Sequence, residues 1–306
     1  MKIFFSGRNQ GNSIRYSKGD RFFYALIDIL LVLCLVIVLY PIIHVVSASF
    51  SSGAAVAAGR VKLLPVEPTL AGYEEVLGYR DIWSGYKNSL IYTTVGTVIN
   101  LFCTILAAYP LSRKDLKGRK WMTFLITFTM IFNGGIIPNY ILMQRLHLLD
   151  TMWALVLPNA IIVSNFVICK NHFENNLSSE LLEAAKIDGC SDINYLVKIA
   201  LPLSKSIVAV LLLYYAVYHW NSFFDAMIYL RDDSKYPLQL ILREILVLNE
   251  VSMDIMSDPE MLAKLEQSRE LVKYAVIVVS SLPVLIIYPF VQKYFVSGRM
   301  AGAVKG

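Results

Sequence analysis

Charged residues are scarce in this sequence. Asp, Glu, Lys and Arg supply 17 % of the 306 residues, whereas they supply about a quarter of an average soluble chain. Hydrophobic residues supply 56 %, and they form long blocks separated by polar segments that contain most of the charge. This distribution excludes an ordinary soluble domain. It predicts an all-α membrane protein with several transmembrane helices.

Cysteine and histidine are also scarce, with four of each. The cysteines have no close pair spacing, which argues against a disulfide framework, and the histidines lack the grouped spacing of a zinc site. We therefore expect no metal site and no catalytic residue. Basic loops next to anionic lipid headgroups explain the net charge of +5, so membrane lipid is an expected partner and nucleic acid is not.

A nucleotide-binding motif is absent as well. No segment reads G-x-x-x-x-G-K-[ST], and Gly118-Arg119-Lys120 lacks both the upstream glycine and the following hydroxyl residue. If ATP drives this protein, the hydrolysis must take place on another polypeptide. We therefore expect no cofactor in this chain.

Six apolar segments are long enough to cross a hydrocarbon core, which needs about 20 residues of helix. The first exceeds the apolar run of a secretory signal, about 7–15 residues, so we expect it to remain as a helix. Before the last span, Asp258-Pro259-Glu260 is typical of a helix start, and this helix could run into that span. The predicted spans are Phe22–Ser47, Tyr86–Leu111, Trp121–Met143, Met152–Cys169, Ile207–Leu230 and Leu271–Phe290.

Lysine and arginine orient these spans, because they concentrate in cytoplasmic loops. The short loop at 113–120 is the most basic, with Arg113, Lys114, Lys117, Arg119 and Lys120. We therefore predict that this loop and both termini are cytoplasmic. The predicted organisation is a cytoplasmic segment at 1–21, a six-helix domain at 22–295 with a cytoplasmic loop at 173–205, and a cytoplasmic tail at 296–306.

The loop between the fourth and fifth spans has the signals of two short helices. Ser178 or Ser179 can cap the first helix, and Gly189 can end it in the left-handed conformation. Ser191 can cap the second helix, which must bend or restart at Pro202 because proline donates no backbone hydrogen bond.

These helices contain a spaced motif. Asp188 immediately precedes the glycine, at the end of the first helix, where the helix dipole disfavours a carboxylate. A compensating cation or row of N–H groups is one reading of this aspartate, and a solvated carboxylate is the other. The motif consists of Glu183-Ala184-Ala185, three residues, Gly189, nine residues, and Ile199-x-Leu201-Pro202.

This motif resembles the EAA loop of bacterial ABC importer permeases. From about residue 20 onward the chain is similar to the maltose-type carbohydrate permeases, including its ending at 292–306. The segments 133–138 and 148–151 are similar to a branch that handles oligosaccharides derived from polysaccharides. A permease for amino acids or peptides, an ion-coupled secondary transporter and a membrane-embedded enzyme are the alternatives.

The resemblance implies a maltose-type ABC permease fold in the bacterial cytoplasmic membrane and a carbohydrate, in particular an oligosaccharide, as substrate. It implies four further partners: a second homologous permease, two ATP-binding subunits that hold ATP and Mg²⁺, and an extracytoplasmic solute-binding protein. It also implies that Lys305 and Gly306 reach into the ATPase dimer. The residues implied to couple this chain to the ATPase are Glu183, Ala184, Ala185, Asp188, Gly189, Leu201 and Pro202.

Two groups of polar residues are candidates for a translocation path. In the third span, Asn133 and Gly134 precede Pro138, which favours a helix break beside the path, with close helix packing as the alternative. In the fifth span, four residues at offsets of 0, 4, 7 and 11 share one helical face. Aromatic rings with amide and carboxylate groups suit a sugar, although tyrosines also anchor helices at membrane interfaces. These four are Tyr214, Tyr218, Asn221 and Asp225.

Overall fold

The structure is a computed structural model that describes residues 17–251 and 259–303, and within these ranges it contains helices and no strand. Lys305 and Gly306, two of the predicted contact residues, lie outside the described residues, as does most of the segment 1–21. The helices are α1 (Lys18–Ser49), α2 (Gly53–Ala57), α3 (Ala71–Gly78), α4 (Arg80–Ser112), α5 (Arg119–Phe128), α6 (Ile136–Arg145), α7 (Trp153–Val156), α8 (Val163–Asn176), α9 (Ser179–Ile187), α10 (Asp192–Tyr195), α11 (Leu201–Leu203), α12 (Lys205–Trp220), α13 (Phe224–Tyr229), α14 (Leu238–Val251) and α15 (Pro259–Ala303).

Among the described residues, three helices are long and apolar enough to cross a membrane. They are α1, α4 and the part of α15 from Arg269 to Pro289. A fourth candidate is the pair formed by Asp192–Leu203 and α12, which meet at an angle of 84°. The start of α15 at Pro259 confirms the helix predicted there, and α15 runs without interruption into the predicted sixth span.

The predicted third, fourth and fifth spans are each interrupted. The break predicted around Asn133 is confirmed: its side chain accepts a hydrogen bond from the N–H of Gly135 at 2.9 Å, and Gly135 has φ +87°. Between α7 and α8, residues 157–162 are not α-helical. Between α12 and α13, the side chain of Asn221 donates to the carbonyl of Val217 at 2.9 Å, and this local bond competes with helix continuation.

Helix α4 is at the centre of the fold. It packs against α8, α12 and α14. Three clusters of buried side chains are distributed along it, and Ile82, Tyr92 and Tyr109 each belong to a different one. At about 1.5 Å per residue its 33 residues extend roughly 50 Å, so α4 is longer than the ~30 Å hydrocarbon core of a bilayer.

Helix α1 is the opposite case, since most of its lateral surface is bare. Its N-terminus has a capping box, in which Ser17 and Asp20 exchange hydrogen bonds at 3.0 and 3.1 Å. Its apolar side chains from Phe22 to Tyr40 are exposed, and the buried residues Ser47, Ala48 and Ser49 lie at its C-terminal end. The surface of α1 is therefore available to lipid or to another chain.

Candidate coupling loop and translocation path

Helix α9 has the two ends that the sequence predicts. At its start, the hydroxyl of Ser178 accepts a hydrogen bond from the N–H of Leu181 at 3.3 Å. At its end, Gly189 has φ +76° and donates to the carbonyl of Lys186 at 3.0 Å, while Cys190 donates to the carbonyl of Ala185 at 2.9 Å. These two bonds form a Schellman motif, which satisfies carbonyls that a helix end leaves unpaired.

One face of α9 packs against the chain and the other faces outward. Ala185 is only 8 % exposed and belongs to the buried cluster that includes Tyr109 and Tyr195. Glu183 and Ala184 are exposed, and Ile187 is 86 % exposed. The outward face therefore combines a carboxylate, a small residue and an uncovered apolar side chain.

The second part of the loop begins at Ser191, whose hydroxyl accepts from the N–H of Asn194 at 3.3 Å, as predicted. A π-helical turn, Leu196–Ala200, then precedes Pro202. Proline has no N–H and its ring would crowd the carbonyl four residues earlier, so a widened turn accommodates it. After this turn the chain bends into α12. Ile193 of α10 is also uncovered, at 76 % exposed.

Asp188 occupies the C-cap of α9 and is exposed. Within the part of the chain that the structure describes, no cation forms an ion pair with it. Of the two readings of this residue, the solvated carboxylate is the one realised in the isolated chain. Leu201 and Pro202 lie in α11, where Pro202 is exposed and Leu201 is partly buried.

An ion-pair network joins this loop to the basic loop after α4. Arg113 contacts Asp115 at 2.5 Å and also donates to the carboxylate of Asp192 in α10. Asp115 lies 3.6 Å from Lys186 in α9. Hydrogen bonds from Arg113 are the largest cause that lowers the pKa of Asp115, to about 2. The network therefore places the two loops side by side.

A cleft with a mostly apolar lining and a few polar side chains lies at the break between α12 and α13. It has a volume of about 390 Å³, and three of the four predicted path residues of the fifth span line it: Tyr218, Asn221 and Asp225. Tyr214 is 43 % exposed and is not among the lining residues. Asn133 and Gly134 also lie outside this cleft. The helical face predicted for a continuous span is thus shortened by the break.

Three residues that the sequence analysis did not select connect this cleft to α4. Asn100 of α4 is buried, and its Oδ1 lies 2.9 Å from Nε2 of His219. The side-chain NH₂ group of Asn100 donates to the backbone carbonyl of Asn159 at 2.6 Å. The side chain of Asn159 then donates to Asp225 at 3.4 Å. Polar residues inside predicted spans are the only sequence signal that could have identified them.

Comparisons with known proteins identify the family. No protein-family model matches this chain. It is 41 % identical over 287 residues to the polygalacturonan/rhamnogalacturonan transport system permease protein YtcP of Bacillus subtilis, which covers 94 % of this chain and 99 % of the relative. The fold also matches a chain in the crystal structure of a bacterial ABC transporter involved in the import of the acidic polysaccharide alginate. The TM-score is 0.81 and the sequence identity is 39 %, and the match covers 92 % of this chain and 100 % of that chain. The chain belongs to the ABC transporter permeases. This permease is also 41 % identical over 270 residues to Protein LplC of Bacillus subtilis, covering 88 % of this chain and 90 % of LplC.

The family assignment confirms the resemblance to ABC importer permeases that the sequence predicted. The permease is an all-helical membrane protein and a non-catalytic transport subunit of an ATP-driven importer. The family assignment also rules out two of the alternatives, an ion-coupled secondary transporter and a membrane-embedded enzyme.

Proposed function

We propose that this permease is one of two permease subunits of an importer for oligosaccharides in the bacterial cytoplasmic membrane. Two separate ATPase subunits would hold ATP and Mg²⁺, and an extracytoplasmic binding protein would deliver the sugar. The observation that carries the proposal is the outward face of α9, an ordered helix that ends at Gly189 and leaves Glu183, Ala184 and Ile187 uncovered.

This face suits a groove on an ATPase subunit. An alanine permits close approach of the helix backbone, the carboxylate of Glu183 offers a partner for a cation, and the exposed Ile187 and Ile193 supply apolar area to bury. When the ATPases close on ATP, a helix held in this way would move with them. Asp188, Leu201 and Pro202 complete the loop.

The contacts of α4 support a topology in which residues 173–205, the coupling loop, lie in the cytoplasm. Near its C-terminus, Arg113 binds Asp192 of the loop; near its N-terminus, the amide of Asn88 donates to the carbonyl of Ser234 at 2.8 Å. Residues 88 and 113 are separated by roughly 38 Å of helix, which exceeds the ~30 Å hydrocarbon core. The basic loop at 113–120 lies beside the coupling loop. The concentration of Lys and Arg in this loop and the proposed contact with the ATPase both favour the cytoplasmic side. Six crossings with both termini in the cytoplasm fit this arrangement.

The bare surface of α1 supports a second permease subunit. The buried residues of α1 lie only at its C-terminal end. The rest of the helix is available to pack against a helix of another protein within the membrane. In the two-permease assembly, substrate would move along the interface between the subunits.

The cleft at the α12–α13 break supports a path for a sugar. Tyr218 and Phe223 offer aromatic faces to the C–H surfaces of sugar rings, and Asn221 and Asp225 offer hydrogen bonds to hydroxyl groups. Irregular backbone at membrane depth is tolerated where it lines a cavity. The names of YtcP and of the alginate transporter support oligosaccharides of polysaccharide origin as the substrate class.

The proposal is tested by copurifying the permease with its partner permease and ATPases and reconstituting the complex in liposomes. ATPase activity is measured with the binding protein loaded with oligosaccharides of polygalacturonan, rhamnogalacturonan or alginate, and with neutral oligosaccharides of equal length. We expect at least one of these sugars to stimulate ATP hydrolysis. The same sugar should accumulate inside vesicles in which the ATPase subunits face the lumen. Stimulation by amino acids or peptides alone would contradict the substrate class.

A further inference from the structure

Arg113 is held more tightly than its neighbours on the basic loop. It is the C-cap residue of α4 and its side chain is only 13 % exposed. Nε and Nη2 donate to the two carboxylate oxygens of Asp115 at 3.0 and 2.5 Å, and Nη1 donates to Asp192. One guanidinium therefore binds a carboxylate of its own loop and one of α10, which lies 79 positions later in the chain.

Aromatic contacts reinforce this junction. The guanidinium carbon of Arg113 lies 6.0 Å from the ring centre of Tyr109. That ring stacks on Tyr195 of α10 with centroids 6.3 Å apart. Both tyrosines are buried in the cluster that includes Ala185, the inward-facing residue of α9. The end of α4 is thus joined to both helices of the coupling loop by an ion pair, a ring stack and a shared core.

The geometry points to Arg113 as the positioning residue that makes α4 move with the coupling loop. We propose that the Arg113–Asp192 ion pair transmits the displacement of α9 and α10 to α4, and that transport loses its coupling to ATP hydrolysis when the pair is broken. This inference rests on the proposed function, because it assumes that the ATPase moves the loop.

Helix α4 has the contacts needed to carry such a displacement to the path. Asn100 lies 13 residues before Arg113 on the same helix, roughly 20 Å away. Its hydrogen bonds reach His219 and Asn159, and the latter contacts Asp225 in the cleft. A shift of α4 along its axis must therefore move or break bonds at both helix breaks that adjoin the cleft.

The ion pair is better suited to positioning than to folding stability. Asp115 and Asp192 are both more than half exposed, and ion pairs with exposed partners contribute little to stability. The planar guanidinium fixes direction, however, because its two contacts with Asp115 orient the third N–H group, on Nη1, toward Asp192. The ammonium group of lysine cannot be oriented in this way. The role should therefore be sensitive to geometry as well as to charge.

The test compares Arg113→Gln, Arg113→Lys and Asp192→Asn in the reconstituted complex. Lys114→Gln is the matched control, since it removes one positive charge from an exposed neighbouring residue. Two quantities are measured: ATP hydrolysis per complex, and sugar accumulated per ATP hydrolysed. We expect Arg113→Gln and Asp192→Asn to hydrolyse ATP within about twofold of the wild type and to lose about fivefold or more of the uptake per ATP. Arg113→Lys should fall between them and the control.

Unchanged uptake per ATP in Arg113→Gln would overturn the inference. If that variant does not assemble, Asp192→Asn decides in its place, because it removes one arm of the network and leaves the Arg113–Asp115 pair intact; wild-type coupling in it would also overturn the inference. Equal losses in Lys114→Gln would show a general charge effect and would count against it too. Failure of the proposed function is distinguishable, since the wild-type complex itself would then show no sugar-stimulated hydrolysis.

Discussion

Gly189 gives the sharpest test of the coupling helix, because its effect separates into backbone strain and bulk. Its φ of +76° lies in the left-handed region, where an L side chain costs about 1–2 kcal/mol. A Cβ built at this position meets no atom of the chain within 4 Å. An alanine therefore adds strain without a clash, and Gly189→Ala should weaken the end of α9 by about 1 kcal/mol.

Three substitutions separate the two effects. Gly189→Asn keeps a residue that tolerates the left-handed conformation, so the loop should retain most of its affinity for the ATPase. Gly189→Ala should lower that affinity by about fivefold, the equivalent of 1 kcal/mol. Gly189→Trp adds a large side chain in the space where the ATPase is proposed to dock, and it should abolish sugar-stimulated hydrolysis in a chain that still folds and pairs with its partner permease.

The assay is titration of ATPase subunits onto the purified permease pair, followed by ATPase measurement with sugar-loaded binding protein. Gly59→Trp is the matched control: Gly59 has φ +66° and open space around it, but it follows α2 in the segment between the first two predicted spans. Size-exclusion chromatography checks assembly. Normal stimulation in Gly189→Trp would refute docking at this face, and an equal loss of ATPase affinity in the Gly59 control would attribute the effect to misfolding.

Glu183→Lys reverses the charge of the docking face and should weaken ATPase binding by about tenfold or more in the same titration, with Glu183→Gln less affected. In Gly96→Ala the new Cβ would clash with the ring of His219, so overpacking should lower stability by about 1–3 kcal/mol, measured by thermal unfolding in detergent. Asp225→Ala should reduce uptake while ATPase titration stays normal. Hydrogen bonds from Arg113 lower the pKa of Asp115 from its ordinary value to about 2. The stabilising contribution of this carboxylate is therefore complete above about pH 4 and is lost as pH falls toward 2. Uptake per ATP should not follow a titration of Asp115 between about pH 5 and 8.

The coupling helix could be predicted from sequence because its determinants are local. A hydroxyl at Ser178 bonds an N–H three residues later, and a glycine at 189 adopts φ > 0 where other residues are strained. Each signal needs only a few neighbouring residues. The same holds for the turn at Asn133 and for the helix start at Pro259. Helix caps and turns of this kind can be predicted from neighbouring residues without knowledge of the tertiary fold.

The polar network around α4 could not be predicted in this way. Asn100 and His219 are 119 positions apart in the sequence, and Asn100 and Asn159 are 59 positions apart. Their partnership depends on how α4, α8 and α12 pack, which helical periodicity does not specify. The face of the predicted fifth span illustrates the same limit. Tyr214 shares the helical phase of Tyr218, yet the break at 221–223 restricts the cleft to the residues next to it.

The distribution of breaks around α4 suggests how movement is used in this permease. An uninterrupted helix transmits a displacement along its whole length, whereas a break absorbs it through the φ and ψ angles of a few residues. Helix α4 is continuous from Arg80 to Ser112, while residues 157–162 and 221–223 interrupt the two predicted spans that pack on it. If Arg113 drives α4 from its cytoplasmic end, the resulting change must concentrate at those two breaks. They adjoin the cleft that contains Asp225, so the segments with most freedom to rearrange are the ones that would contact the sugar.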